Sequence, residues 1–188
     1  MRIGIFGGTF NPIHFGHLVL AEQAYEKLNL DKVIFIPSCK PPHKRVKDLA
    51  SAEDRYNMVS LAIQNNKRFE ISDIEIKRKG KSYLVDTLKE IHSKYPKSEL
   101  FFISGSDVTN QIHKWKSIEE ILKLVNFVIA KRPGYRLKRF NKNVTTLSVS
   151  ELDISSSNIR RKIKNHKTVL YIMPIRVFDY IKKKGLYQ

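Results

Sequence analysis

Short apolar segments that resemble strands alternate with amphipathic helical segments along this chain of 188 residues. β-Branched and aromatic residues favour strands, whereas apolar residues spaced three and four apart favour helices. The predicted strands are 2–6, 32–37, 69–76, 100–104 and 127–130, and the predicted helices are 18–28, 52–66, 83–95, a region within 107–125, 155–165 and 174–184. This alternation predicts an α/β fold: a Rossmann-like doubly wound parallel sheet with helices on both faces. The last two helices are expected to form a C-terminal helical appendage.

The sequence contains no internal repeat, linker or low-complexity tract, so we expect residues 1–188 to form a single domain. Its one cysteine, Cys39, excludes an internal disulfide and suits a reducing compartment. No apolar segment approaches the roughly 20 residues of a membrane-spanning helix. The first residues already form a predicted strand rather than a signal peptide. These features predict a cytoplasmic protein with no membrane partner.

The chain is strongly basic, with 35 lysines and arginines against 18 acidic residues and a net charge of +17. A nucleic-acid-binding surface usually concentrates its charge on one face or arm, interleaved with aromatic residues. Here the basic residues are spread along the whole chain, which indicates a solvated surface, so no nucleic-acid partner is expected. A basic nucleic-acid-binding protein remains the alternative of a different class. Salt-dependent affinity for a duplex or RNA, without ATP binding, would support it.

Residues 7–18, GGTFNPIHFGHL, connect the first predicted strand to the first helix. In an open parallel sheet, ligands bind at the carboxyl ends of the strands. Gly7 and Gly8 let a ligand approach the backbone, and a helix starting near Gly16 directs its positive end into the same turn. His14 and His17 are three residues apart and can face one pocket. The segment therefore indicates a phosphate site, although a tight turn also explains the glycines, and metal binding or helix packing also explains the histidines.

This segment resembles the signature of the nucleotidyltransferases marked by His-x-Gly-His, which join a nucleotide to a phosphate-bearing acceptor and release pyrophosphate. Further segments occur in the order found in the bacterial nicotinate-nucleotide adenylyltransferases, and the whole chain resembles that group. These segments are PPHK at 41–44, KSYLVDTL at 81–88, GSD at 105–107, KW at 114–115, KRPG at 131–134, ISSSNIR at 154–160 and GLY at 185–187. The resemblance implies adenylyl transfer from ATP to nicotinate mononucleotide, yielding nicotinate adenine dinucleotide (deamido-NAD) and pyrophosphate in NAD biosynthesis.

The resemblance also implies which residues form the site. The expected catalytic residues are His14, His17, Lys44 and Arg160. The expected ATP-binding residues are these four together with Gly7, Gly8, Thr9, Phe10, Gly105, Asp107, Ser155 and Ser156. The expected nicotinate-nucleotide-binding residues are Asn11, His43, Lys44, Tyr83, Leu84, Trp115 and Arg132. Mg²⁺ is expected to accompany ATP, held largely by the phosphates and water, with no metal site formed by the protein.

Three positions depart from the pattern of these relatives. Asn11 replaces an aspartate and Ser157 replaces a threonine. Leu84 replaces a threonine whose hydroxyl helps to hold the nicotinate carboxylate, although the backbone N–H of Leu84 can still donate. The choice between the acid and the amide acceptor therefore stays open, with nicotinamide mononucleotide as one alternative. A second alternative is a phosphopantetheine adenylyltransferase of the same superfamily, but enzymes of that group lack the PPHK, KW and KRPG segments that this chain contains. The oligomeric state also stays open, and a homo-oligomer is one of the alternatives.

Overall fold

The sheet of the protein is all-parallel, as the alternating segments predict. The computed structural model describes residues 1–41, 48–105, 112, 115–131, 144–150 and 152–188. Its strands are β1 (Arg2–Gly8), β2 (Lys32–Pro37), β3 (Phe69–Ile71), β4 (Glu99–Gly105), β5 (Asn126–Lys131) and β6 (Val144–Ser148). The strands are arranged in the order β3-β2-β1-β4-β5-β6. This doubly wound order confirms the predicted fold, and the direction of winding reverses between β1 and β4.

Helices cover both faces of the sheet. They are α1 (Phe15–Lys27), α2 (Ala52–Ile63), α3 (Ile74–Arg78), α4 (Leu84–Lys94), α5 (Ile118–Leu124), α6 (Ser156–Lys164) and α7 (Ile175–Lys184). One face, here called the first face, carries Phe6, Phe35 and Ile103 and is covered by α1, α2, α6 and α7. The opposite, second face carries Ile5 and Phe102 and is covered by α3, α4 and α5. None of the helices in the described ranges has the length and hydropathy needed to cross a bilayer.

The strands are apolar along their length because both faces are covered. In β1, Ile3 and Ile5 point to the second face and Phe6 points to the first, and all three are at most 4% exposed. The register continues this layering, since Ile5 pairs with Ile34 of β2 and with Phe102 of β4. Central strands of parallel sheets have this near-continuous apolar character. The packing places the carboxyl ends of β1 and β4 side by side at one edge of the core.

The predicted strand at 69–76 is wrong in its second half. β3 ends at Ile71, and α3 follows from Ile74. The backbone N–H of Ser72 donates to the carbonyl of Phe35, and the chain then turns. Glu75 is buried and accepts a 2.6 Å hydrogen bond from the Thr87 hydroxyl. The alternating pattern could not distinguish this turn from a longer strand, because these partners lie far away in the sequence.

Three further differences concern weak local signals. The edge strand β6 was not predicted. Its residues do not alternate regularly between buried and exposed, and only Leu147 within it is buried. Pro174, expected at the first helical position, is instead the N-cap of α7. Within 107–125 the structure describes a helix at Ile118–Leu124, and residues 106–111 and 113–114 lie outside the described residues.

Candidate active site

A cavity of about 450 Å³ opens on the first face at the carboxyl ends of β1 and β4. The start of α1, the segment after β6 and the start of α6 complete its wall. Ligands of doubly wound sheets bind at this position, where the strand order reverses. Of the expected ATP-binding residues, those that line the cavity are Gly7, Gly8, Thr9, Phe10, His14, His17, Gly105, Ser155, Ser156 and Arg160. The other two, Lys44 and Asp107, lie outside the described residues.

Two helix N-termini point their positive ends at the cavity. His14 is the N-cap of α1, and Ser155 is the N-cap of α6, where its hydroxyl accepts a hydrogen bond from the Asn158 N–H. Neither helix has an acidic residue in its first turn, and none of the described residues that line the cavity is acidic. A helix N-terminus offers unpaired N–H groups and a partial positive charge. The arrangement therefore favours a polyanion such as a triphosphate.

The two histidines stack against each other in the cavity wall. Their ring centroids are 3.7 Å apart, with an angle of 28° between the ring planes. The backbone N–H of His14 donates to Nδ1 of His17 at 3.3 Å, so a neutral His17 ring carries its proton on Nε2. His14 is 5% exposed, and its Nδ1 has no hydrogen-bond partner in the described part of the chain. Burial lowers the pKa of His14 to about 4, so this ring is neutral at pH 7.

Helix α6 is fastened to the segment between β1 and α1. The hydroxyl of Ser156 donates to the Pro12 carbonyl at 2.9 Å, and Nη1 of Arg160 donates to the Asn11 carbonyl at 2.8 Å. The Nε of Arg160 is buried and has no hydrogen-bond partner among the described residues. Ser156 and Arg160 therefore both contact the segment between β1 and α1. Part of their hydrogen bonding is used within the protein, and Arg160 keeps a donor beside the cavity.

Asn11 is held by three hydrogen bonds within the protein. Its Nδ2 donates to the carbonyl of Asp48, and its Oδ1 accepts from the Ala50 N–H and from the Tyr187 hydroxyl. Its side chain is 2% exposed. Asn11 lines the cavity, and these three bonds hold its amide in place. The sequence offered no sign of the contact with Tyr187, which lies 176 residues away.

The other described members of that set gather on the second face. α4 begins at Leu84 with Tyr83 as its N-cap, and the Nζ of Lys116 lies 4.7 Å from the centre of the Tyr83 ring. The half-buried Trp115 contacts Phe102 edge-on, with ring centroids 6.0 Å apart. His43, Lys44 and Arg132 lie outside the described residues. Tyr83, Leu84 and Trp115 are therefore brought to one side of the sheet.

Gly7 lies between the cavity and this second group. A Cβ at Gly7 would come within 3.2 Å of the Phe102 ring, the same ring that Trp115 contacts. A side chain at position 7 would therefore crowd the boundary between the two regions. Because Gly7 and Gly8 end β1, this short backbone segment borders both the cavity and the group of residues on the second face. Gly7 therefore adjoins the cavity on one side and the Phe102 ring on the other.

No three His, Cys, Asp or Glu side chains come together to form a metal site in the ranges that the structure describes. Several residues in the cavity wall after β6, including Val149, Ser150 and Leu152, are not among the predicted site residues. These residues form no motif, and their place in the wall depends on the path of the chain after an edge strand. Their chemistry is mixed, since Val149 is buried while Ser150 and Leu152 are exposed.

The residues that form this cavity fall within a known protein family. The cytidylyltransferase-like family model matches residues 5–162, which include both histidines and Arg160. The chain belongs to the cytidylyltransferase-like family. The chain is similar to a protein of Desulfitobacterium hafniense strain Y51 named "Probable nicotinate-nucleotide adenylyltransferase": the two are 48% identical over 198 residues, and the match covers 100% of this chain and 96% of the relative.

A relative with the same name from Thermus thermophilus is 46% identical over 188 residues, with both chains fully covered. Among solved structures, the fold is similar to that of the Plasmodium falciparum nicotinic acid mononucleotide adenylyltransferase complexed with NaAD. That pair has a TM-score of 0.78 and 21% sequence identity, and covers 99% of this chain and 97% of the other. At this identity the structural likeness concerns the fold alone.

Proposed function

We propose that this protein transfers the adenylyl group of ATP to nicotinate mononucleotide, forming nicotinate adenine dinucleotide and pyrophosphate in NAD biosynthesis. The observation that carries the proposal is the cavity in which His14, His17 and Arg160 meet two helix N-termini, with no acidic side chain among its described lining residues. The names of full-length relatives at 48% and 46% identity support the same activity. A Rossmann-like sheet with its cavity at the switch point suits nucleotide binding.

In this reaction a phosphate oxygen of the mononucleotide forms a bond to the α-phosphorus of ATP. The bond between the α-phosphorus and the oxygen that links it to the β-phosphorus breaks, and pyrophosphate leaves with that oxygen and the electron pair. The nucleophile is already an anion, so the reaction needs no general base. Catalysis therefore rests on alignment of the two phosphates and on stabilisation of the negative charge that develops. Imidazoles, a guanidinium and free N–H groups suit that task, and the described cavity wall offers these groups.

We assign His17 to the α-phosphate and His14 to the phosphates beside it, because the stacked rings lie at the N-terminus of α1. Arg160 and the first N–H groups of α6 are assigned to the triphosphate, and Lys44 is proposed to reach it from the segment after β2. Ser155 is proposed to act as the cap that keeps α6 in place. Gly105 and Asp107 are assigned to the nucleoside, since Gly105 ends β4 beside the cavity.

We propose that the nucleotide substrate is MgATP, with the ion held by the phosphates and water. The absence of acidic residues among the described residues of the cavity wall supports this assignment, because Mg²⁺ bound by a protein usually has one or two carboxylate ligands. When bound, the ion would neutralise part of the negative charge on the leaving pyrophosphate. His14, His17 and Arg160 then supply the remaining hydrogen bonds and the orientation.

We place the acceptor across Gly7, with its pyridine ring beside Trp115 and its carboxylate near the N-terminus of α4. The N-cap position of Tyr83 leaves the first N–H groups of α4 available for an anion. His43 and Arg132 are proposed to contact the acceptor as well. Asn11 is proposed to shape the site by its three internal hydrogen bonds.

We also propose that residues 1–188 act as a single nucleotidyltransferase domain in the cytoplasm. All six strands in the described part of the chain belong to one sheet, and the cavity wall combines residues from Phe6 to Arg160. The single cysteine and the use of ATP suit a reducing, nucleotide-rich compartment.

The proposal is tested by measuring pyrophosphate release from MgATP with each acceptor: nicotinate mononucleotide, nicotinamide mononucleotide and phosphopantetheine. Nicotinate mononucleotide should give the highest kcat/KM. Leu84→Thr should raise kcat/KM for that acceptor by about tenfold, because a hydrogen bond to a charged group contributes about 1.5–3 kcal/mol. A higher kcat/KM with another acceptor would overturn the acceptor assignment. No release with any acceptor, together with salt-dependent RNA binding, would overturn adenylyl transfer itself.

The roles of the cavity residues have their own test. His17→Ala should lower kcat by about 10²–10³-fold, as for loss of one donor to the transition state, and should leave the fold intact. Arg160→Ala should raise the KM for MgATP more than the KM for the mononucleotide. Arg161→Ala is the matched control, because Arg161 is exposed and its guanidinium donates to Asn158 of its own helix. Equal effects of the two arginine substitutions would contradict the assignment of Arg160.

A further inference from the structure

Arg55, in the first turn of α2, is a fully buried cation at 0% exposure. Its guanidinium donates to three backbone carbonyls: Nε to Ala50 at 3.1 Å, Nη1 to Thr9 at 2.9 Å and Nη2 to Cys39 at 3.0 Å. None of the ion pairs in the described part of the chain involves Arg55. A guanidinium remains protonated in proteins. Glu75 favours the charged form of Arg55 without forming an ion pair with it, so the three carbonyl hydrogen bonds are the contacts that hold the buried guanidinium.

The three carbonyls belong to separate segments around the site. Thr9 follows β1 and lines the cavity, Cys39 follows the neighbouring strand β2, and Ala50 directly precedes the N-cap of α2. β1 and β2 pair up to Gly8 and Pro37, so both loops leave the sheet at the same level. One rigid guanidinium therefore sets the spacing between the two loops.

The contact with Thr9 acts on a strained position. Phe10, the next residue, has a φ of 49°, in the left-handed region that a non-glycine residue rarely adopts. With this backbone the Phe10 ring packs edge-on against the His17 ring, with centroids 5.2 Å apart. Such a conformation persists only where the surrounding structure holds it. Arg55 holds the carbonyl of the peptide that enters Phe10, so a continuous series of contacts runs from Arg55 through Thr9 and Phe10 to His17.

We propose that Arg55 is a positioning residue for adenylyl transfer: through the Thr9 and Cys39 carbonyls it fixes both loops and thereby the Phe10 ring against which His17 is oriented. This inference rests on the proposed function. Arg55 lies behind the β1 loop and is not among the residues that line the cavity. It therefore acts on the orientation of His17 rather than on the substrate. Its removal should change the transition-state interaction of His17 more than the binding of ground-state substrate.

The experiment compares Arg55→Met and Arg55→Lys with the wild-type chain. Each protein is assayed for pyrophosphate release from MgATP and nicotinate mononucleotide, and its urea-unfolding midpoint is measured. Arg55→Met should lower kcat by about 10–100-fold while the KM for MgATP changes less than threefold. Arg55→Lys keeps the charge, but one ammonium cannot hold three separated carbonyls, so it should recover only part of kcat. If Arg55→Met does not fold, Arg55→Lys carries the same test.

Met58→Ala is the matched control for a loss of stability alone. Met58 lies one turn further along α2, is also 0% exposed, and packs in the core of the first face. This substitution should lower the unfolding midpoint but leave the kcat of the folded protein within twofold. A wild-type kcat in Arg55→Met would overturn the proposal. An equal loss of kcat in Met58→Ala at a similar midpoint would overturn it as well.

A second measurement does not depend on activity. The ¹⁵N signals of the His17 ring report its tautomer and surroundings, and they should shift in both Arg55 variants but not in Met58→Ala. If the wild-type chain released no pyrophosphate with any acceptor, the proposed function would fail, and these signals would still decide whether Arg55 orients His17. Unchanged His17 signals in the Arg55 variants would overturn the positioning role.

Discussion

Lowering the pH should destabilise the fold, because the buried His14 ring resists protonation in the folded protein but not in the unfolded chain. Burial lowers the pKa of His14 from 6.5 to about 4 in the folded protein. The unfolded chain therefore binds this proton at a higher pH than the folded chain does, and stability falls as pH drops from about 6.5 to about 4. The difference between the two pKa values, at about 1.4 kcal/mol per pH unit, amounts to about 3 kcal/mol over the whole window and about 2 kcal/mol at pH 5.

The assay is urea unfolding of the wild-type chain and of His14→Gln at pH 7.5 and pH 5. Between these two values the wild-type chain should lose about 2 kcal/mol more unfolding free energy than the variant, which has no proton to bind at this position. His166→Gln removes an exposed histidine and is the control; it should lose as much as the wild-type chain.

An NMR titration of the His14 ring measures its pKa in the folded protein directly and should show a midpoint near 4. A midpoint above 6 would refute the reasoning, because burial would then not oppose the charge. Equal losses of unfolding free energy in the wild-type chain and in His14→Gln would refute it too.

The remaining predictions concern packing around the same cavity. Tyr187→Phe removes the 2.7 Å hydrogen bond to Asn11 and should lower the unfolding free energy by about 1 kcal/mol, measured in urea; unchanged stability would show that the bond contributes nothing. In Gly8→Ala the new Cβ would lie 2.9 Å from Cζ of Phe10, so the ring must move, with a loss of about 1–3 kcal/mol and a lower kcat. Gly4→Ala is similarly crowded, at 2.7 Å from Leu30, but Gly4 does not line the cavity; it should destabilise without lowering the kcat of the folded protein, and an equal loss of kcat would contradict the reasoning.

The fold could largely be predicted because its signals are local. The apolar run at the start of the chain and the helical spacing after residue 15 each depend on residues close together in sequence. Together with the rule that alternating strands and helices form a parallel sheet, they predict the strand-to-helix turn that carries His14 and His17. The errors occur where local pattern is ambiguous. The alternation in 69–76 indicates a strand, but the contact of Ser72 with Phe35 ends β3 early.

The composition of the cavity wall could also be predicted in part, because Gly7, His17 and Arg160 belong to segments with recognisable spacing. The protonation state and the hydrogen-bond partners of the site residues could not be predicted from the sequence. The low pKa of His14 requires that packing exclude water from its ring. The amide of Asn11 is engaged by Tyr187 from the other end of the chain.

Arg55 shows the same division most clearly. In the sequence it is one of 35 lysines and arginines, with nothing to distinguish it from a surface charge. Only the tertiary structure buries it and brings Thr9 and Cys39, 46 and 16 residues away, within hydrogen-bond distance of one guanidinium. Sequence patterns determine which elements form, because periodicity is a property of neighbouring residues. Burial and hydrogen-bond partners depend on how distant elements pack, so the tertiary structure alone determines which charges and polar groups surround the site.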